Sequence, residues 1–286
     1  MPEIEIRPAS ADEFATAIDW AADEGWNPGL DDLAAFHATD PQGFVMGFVD
    51  GTPVSSISVV RYPGGFGFLG FYIVHPAHRG TGLGIQTWNA GMAYLEGCTI
   101  GLDGVVAQQD NYRKSGFRLA GRNVRHTGRP ARLDTGDAGC EIRTVGMNDL
   151  AAVSAFDAGH FAVARDGFIH DWVLPSGGVR RQTLIALREG DIAGLATTRA
   201  CRTGYKTGPL FADGADIAAA LFDAVCASLP EGAEVSLDTP DDNAQAVAVA
   251  RAAGLEPVFE TARMYRGADP GLPVGRIYGV TTFELG

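Results

Sequence analysis

The stretch Phe71-Tyr72-Ile73-Val74-His75-Pro76-Ala77-His78-Arg79-Gly80-Thr81-Gly82-Leu83-Gly84-Ile85 decides how this chain is read. An apolar, β-like run ends at a proline, passes through a basic glycine-rich turn, and opens into a helix. That order of parts makes a backbone cradle for a pyrophosphate. Glycines admit positive φ and close approach, while the unpaired N–H groups and the dipole at the helix start attract the anion. A glycine-rich turn alone serves equally as an ordinary strand-to-helix connection. No Gly-Lys-Ser/Thr follows, which excludes a Walker loop, and the spacing excludes a dinucleotide fingerprint.

Outward from this loop the elements alternate. Ser10 with Glu13 predicts a capping box for a helix from about Ala11 to Glu24. Asp50-Gly51 predicts a hairpin between Phe44–Val49 and Val54–Arg61, and a strand from Phe68 to Val74 leads into the loop. After the loop, Ile85, Trp88, Met92 and Leu95 recur at spacings of three and four, predicting a helix with that face on the sheet. A strand from Thr99 to Val106, a short helix from Asp110 to Ser115 and a strand from Phe117 to Arg125 complete the round.

Residues 129–138 lack hydrophobic periodicity and are read as a linker. A second round follows in the same order: a strand at Glu141–Val145, Asn148 as a helix cap, and a hairpin turning at Glu189-Gly190-Asp191. A helix with Ile217, Leu221 and Val225 in register comes next, then a strand from Val235, a helix from Asn243 and two closing strands. Gly116-Phe117 with Val124-Arg125 is echoed by Gly254-Leu255 with Ala262-Arg263. The fold class is therefore α/β, two tandem copies of a mixed sheet flanked by helices: residues 1–128, the linker 129–138, and residues 139–286.

The spacing Arg79-x-x-Gly82-x-Gly84 after Val74-x-Pro76, with Tyr112-x-Lys114-x-Gly116-Phe117 about thirty residues later, resembles the GNAT superfamily of acyl-CoA-dependent N-acyltransferases. The second half resembles the companion domain of tandem GNAT proteins, chiefly through Lys206–Asp213 and Asn243-x-x-Ala246. The resemblance implies acetyl-CoA as acyl donor, with no metal, and a small-molecule amine as acceptor. It implies that Tyr72, Ile73 and Val74 position the pantetheine arm in a splay of the sheet. Arg79, Gly80, Thr81, Gly82, Leu83, Gly84 and Ile85 would hold the pyrophosphate, and a backbone N–H near Tyr72 the oxyanion. Tyr112 falls on the position that protonates the leaving thiolate; its other reading is an aromatic that packs the short helix onto the sheet.

Departures from the family pattern matter. Val105 stands where many members carry a cofactor-contacting asparagine, with Gln108 to Asn111 as the nearest polar groups. The region Phe66–Gly70 has no ionisable residue to serve as base, which leaves His75, His78, Asp103 or relayed water. In the second half, Ala212-Asp213-Gly214-Ala215-Asp216 puts carboxylates where phosphate would sit, and Ala250 stands at the position of Tyr112. That half is expected to complete a substrate pocket instead, with Tyr205, Lys206 and Asp213 as candidate linings. A non-catalytic acyl-CoA sensor is the alternative reading.

Composition agrees with these classes. A chain of 286 residues with 46% hydrophobic content can bury two cores. A net charge of -13 repels nucleic acid and favours cationic amines. Cys98, Cys140, Cys201 and Cys226 are scattered, without metal-site spacing, and read as reduced thiols. No apolar run is long enough to span a bilayer and no signal peptide is read at the start, so the expected location is cytoplasmic. The acceptor, the acyl length and the oligomeric state carry no signature in the sequence.

Overall fold

A computed structural model describes residues 3–286. The first round comprises β1 (Glu5–Pro8), α1 (Ala11–Asp23), α2 (Asp32–Thr39), β2 (Phe44–Val49), β3 (Thr52–Tyr62), β4 (Phe66–Val74), α3 (Leu83–Tyr94), β5 (Thr99–Val105), α4 (Gln109–Lys114) and β6 (Arg118–Gly128). The second comprises β7 (Glu141–Thr144), α5 (Leu150–Ala158), α6 (Asp166–Val173), β8 (Arg181–Arg188), β9 (Asp191–Ala200), β10 (Tyr205–Ala212), α7 (Ala215–Ala227), β11 (Val235–Pro240), α8 (Ala244–Ala252) and β12 (Glu256–Arg266), followed by β13 (Ile277–Gly279). The mixed α/β class is as read, and the order of the first round repeats in the second. Among the described residues no helix is long and apolar enough to cross a membrane.

Local chemistry explains the elements. Both hairpins turn on two residues at positive φ, Asp50 (49°) with Gly51 (75°) and Glu189 (55°) with Gly190 (94°), the handedness that matches strand twist. Ser10 Oγ accepts from Glu13 N at 3.3 Å and Glu13 returns a carboxylate to Ser10 N at 2.9 Å, closing the capping box on α1. In the second half the expectation at Asn148 fails. Asp149, one residue on, accepts from Gly146 N at 2.8 Å and pairs with Arg143 at 2.7 Å, a copy of Glu13 with Arg7. Asn243 does cap α8, its Oδ1 accepting from Gln245 N and Ala246 N at 3.1 Å.

The two rounds do not make two separate sheets. The strand order is β1-β2-β3-β4-β5-β12-β6-β11-β10-β9-β8-β7, so each round's last strand crosses into the other's territory. β12 pairs with β5 from Thr261↔Val105 to Arg266↔Ile100, and β6 pairs with β11 from Val235↔Gly128 to Pro240↔Asn123. A matched pair of buried ion pairs pins this exchange. Arg125 on β6 grips Asp238 on β11 at 2.7 and 2.8 Å, and Arg263 on β12 grips Asp103 on β5 at 3.0 and 2.5 Å. These are the two arginines of the closing-segment echo. Burial pushes the Asp238 carboxyl up, but the Arg125 charge and hydrogen bonds outweigh it and hold the group below the usual carboxylate range. Removing one partner of such a pair typically costs about 3–5 kcal/mol.

A shared core joins the rounds: Phe36 of α2 stacks on Trp172 of α6 at 5.6 Å, and Phe161 meets Tyr62 edge-on at 5.3 Å. Asp32 of α2, almost fully buried, bonds both Arg181 and Arg199 of the second half at 3.0 and 2.9 Å. The closing segment 280–286 is buried along its whole length. Tyr62 donates to Leu285 O at 3.0 Å and Arg165 donates to Gly286 O at 2.9 Å, tying it between the halves.

Candidate active site

The parallel strands β4 and β5 pair only from Phe66↔Thr99 to Leu69↔Leu102, then diverge. On the other side of β4 the register steps from Ser58↔Gly70 to Ser56↔Ile73, three residues against two, a bulge that redirects the strand. Phe71 sits in it at φ 45°, a conformation costing on the order of 1–3 kcal/mol for a residue with a side chain. The structure holds it there by burying the ring edge-on to Phe14 at 5.7 Å and by a 2.8 Å hydrogen bond from Ser56 Oγ to Phe71 O. The splay opens into a cavity of about 490 Å³.

The glycine loop forms the mouth of this cavity. Gly80 (φ 76°) and Gly82 (φ 83°) both take the left-handed conformation, and Gly82 begins α3 without a side-chain cap. A Cβ on Gly84 would lie 2.5 Å from Val74 Cγ2 and 3.0 Å from the Tyr72 hydroxyl, so glycine lets the helix start seat against β4. The backbone here thus fits a pyrophosphate, and the exposed edge of β4 beyond Leu69 fits an extended pantetheine arm. Arg79 braces the loop: its Nε donates to Val74 O at 3.0 Å and its guanidinium pairs with Glu24 at the end of α1.

Tyr112 also faces the cavity. Its ring stacks on Trp88 of α3 at 5.8 Å, and Trp88 in turn meets Tyr72 at 5.1 Å. Burial, then the neighbouring Tyr72, pushes the Tyr112 hydroxyl up to about 12, so it stays protonated through the neutral range. The ring thus packs the short helix α4 against α3, as one reading of this residue expects, while the residue also lines the cavity.

Tyr112 and the residues expected to hold the donor line the cavity except Thr81 and Leu83. Thr81 Oγ1 turns to His78 O at 2.6 Å, and Leu83 is buried beneath the helix. Ile85, expected on the sheet-facing side of α3, is 55% exposed instead, because the first helical turn overhangs the mouth. Of the three base candidates, Asp103 is tied down by Arg263 and by Asn123 Nδ2 at 2.7 Å. His75 lies outside the lining, its Nδ1 3.4 Å from Ala77 N, whereas His78 lies at the rim. Val105 and Gln108 both reach the wall.

The second half supplies the rest of the pocket through residues the sequence did not flag: Phe259 and Thr261 of β12, brought in by the exchange, and Phe283 and Glu284 of the closing segment. Its expected linings are elsewhere. Lys206 is 2% exposed and donates to Trp26 O at 3.3 Å; burial pushes its ammonium down. Asp213 pairs with Arg276 on the far side, and Tyr205 packs in the second core.

Comparison with known proteins agrees with this geometry. The model of the acetyltransferase (GNAT) family matches residues 11–117, and that of an acetyltransferase (GNAT) domain matches residues 153–279. Holothin acyltransferase of Pseudoalteromonas sp. (strain SANK 73390) is 31% identical over 281 residues, spanning 98% of this chain and 94% of that protein. The chain belongs to the GNAT superfamily. Among solved GNAT-type folds, a putative acetyltransferase from Pyrococcus horikoshii superposes with a TM-score of 0.80 at 20% identity, covering 99% of this chain and 96% of its own. A tandem GNAT protein from the clavulanic acid biosynthesis pathway superposes with a TM-score of 0.63 at 15% identity, covering 94% and 99%. The chain is thus a tandem GNAT acyltransferase, and its fold implies an acyl-CoA donor.

Proposed function

We propose that this protein transfers the acetyl group of acetyl-CoA to the primary amine of a small molecule by direct attack, with Tyr112 as general acid. The observation that carries the reading is the convergence of three features on one cavity: the splayed edge of β4, the uncapped glycine loop, and the protonated Tyr112 hydroxyl. Residues 1–128 form the donor-binding unit. Residues 139–286, joined through 129–138, form a divergent companion that completes the acceptor side. Tyr72 to Val74 align the thioester against β4, a backbone N–H near Tyr72 meets the developing oxyanion, and the loop amides of residues 80–85 hold the pyrophosphate. Trp26, Phe259 and Phe283 give the acceptor side an aromatic wall that suits an amine on an apolar body.

A thiol-release assay with acetyl-CoA against benzylamine, putrescine and glucosamine tests the proposal. The expected result is CoA release matched by N-acetylated product in mass spectra for at least one amine. CoA release no greater than the hydrolysis background with every amine would replace the enzyme by an acyl-CoA-binding sensor.

A further inference from the structure

We infer that Glu284, carried by the closing segment of the second half, is the general base of the transfer and the anchor for the acceptor's ammonium group; this rests on the acyltransferase reading above. Three carboxylates line the cavity, and two are committed, Glu24 to Arg79 and Asp103 to Arg263. Glu284 is the third. It is 5% exposed, and among the described residues its carboxylate makes no hydrogen bond or ion pair. The residue lines the cavity, and its carboxylate oxygens are not fully sealed in protein. The charges of Arg125, Arg199 and Lys206 lie near it, but none of them donates it a hydrogen bond, so its accepting capacity is left for a group that enters the cavity.

Its position is set by Gly70, the residue before the bulge. A Cβ on Gly70 would lie 2.9 Å from Glu284 Cα and 3.0 Å from its carbonyl carbon, so the missing side chain is what lets the segment lie directly on β4. The part of β4 without any ionisable residue, Phe66–Gly70, therefore receives a carboxylate from the other end of the chain. The charged groups that act on Glu284 are Arg125 of β6, Arg199 of β9 and Lys206 of β10, and Asp103 of β5 lines the same cavity. Arg125 is paired with Asp238 and Arg199 with Asp32, whereas Lys206 donates to the neutral Trp26 O and its charge also acts on Glu284.

In the reaction, Glu284 takes one proton from the incoming ammonium, and the freed amine attacks the thioester carbon. As the N–C bond forms and the C–S bond breaks, Tyr112 gives its proton to the departing thiolate. The nitrogen's second proton returns to the tyrosinate, and Glu284 passes its own to water, leaving amide, thiol and one released proton.

The test is Glu284→Gln, assayed with acetyl-CoA and the best acceptor among benzylamine, putrescine and glucosamine. At neutral pH, kcat/KM should fall by about 10²–10⁴-fold. The deficit should shrink as pH approaches the amine's own pKa, about 10 for an alkylamine, where bulk water supplies the free base. Calorimetric binding of the amine should weaken sharply, while acetyl-CoA affinity and thermal melting stay as in the wild type, and Glu284→Asp should recover part of the rate. Wild-type kcat/KM and an unchanged pH profile in Glu284→Gln would overturn the inference and leave the acyltransferase reading standing. Equal loss of acetyl-CoA affinity or melting temperature would also overturn it, by making the residue structural. A wild-type chain that acetylates none of the amines would overturn both.

Discussion

The two halves build the same splay and use it differently. In the first, β4 and β5 part after Leu69↔Leu102 and leave an open cavity. In the second, β10 and β11 part after Thr207↔Leu237, again beside a bulge, where Thr198↔Thr207 steps to Ala196↔Leu210. There the gap is filled by the chain itself. β13 pairs with β10 at Leu210↔Gly279, and Val280 N donates to Asp238 O of β11 at 2.9 Å. A Cβ on Gly208 would lie 2.6 Å from Thr281 O, so this glycine admits the closing segment as Gly70 does in the first half. The second loop is closed as well, since Asp213 pairs with Arg276 and Asp216 with Arg188. One duplicated architecture thus yields an open cavity in one splay and a structural joint in the other. The segment that plugs the second splay continues into the wall of the first.

The largest expected effects break the asymmetry at the open site. Gly82→Glu forces a side chain and a negative charge into a left-handed position at the helix start. It should weaken acetyl-CoA binding by at least about 100-fold, read by calorimetry, with melting little changed, because such a charge opposes the phosphates by a few kcal/mol. Conversely, Asp213→Asn with Asp216→Asn should create no second binding site, because β13 and not charge alone closes that half; a second set of sites in the titration would refute the plug.

Tyr112→Phe keeps the stack on Trp88 and removes the proton donor. It should lower kcat by about 10²–10⁴-fold with acetyl-CoA affinity unchanged. Because the hydroxyl is raised to about 12, the protonated donor persists as pH rises, and Tyr112 should contribute no loss of rate between about pH 7 and pH 10.

The matched ion pairs offer a symmetric comparison. Asp238→Ala and Asp103→Ala each strand a buried arginine and should each destabilise by about 3–5 kcal/mol in denaturant unfolding. A large loss for one and none for the other would show that the exchange is pinned from one side only. The smallest effects belong to the strand-to-helix clasps. Glu13 and Asp149 are each lowered to about 2, first by hydrogen bonds from Arg7 and Arg143 and then by those from Ser10 and Gly146. Folded-state values below the unfolded ones mean stability present near neutrality and lost as pH falls through the carboxylate range toward 2. Glu13→Gln and Asp149→Asn should each flatten that acid loss slightly in thermal melts.

Much of this was legible because it is local. The hairpins at Asp50-Gly51 and Glu189-Gly190, the capping box at Ser10, the buried face Ile217-Leu221-Val225 and the glycine loop all depend on neighbours within a few residues. Strand exchange is not local, since nothing in Arg118–Gly128 states which sheet edge it joins. The echo of Arg125 in Arg263 reported the repeat, but only the fold shows that each arginine reaches an aspartate of the opposite half. Lys206 misled as a pocket lining because nothing local to its strand reports that the second half is packed against the first there. Glu284 was invisible for a related reason: Val280–Gly286 has no periodicity or turn chemistry, and its placement follows from the space left above Gly70.

If the first splay binds the donor and the second is filled by β13 and the segment after it, calorimetric titration of the intact protein with acetyl-CoA should saturate at one site per chain. Two sites per chain would contradict the plugged second half, and no heat with unmoved thermal melting in excess ligand would contradict a working first one.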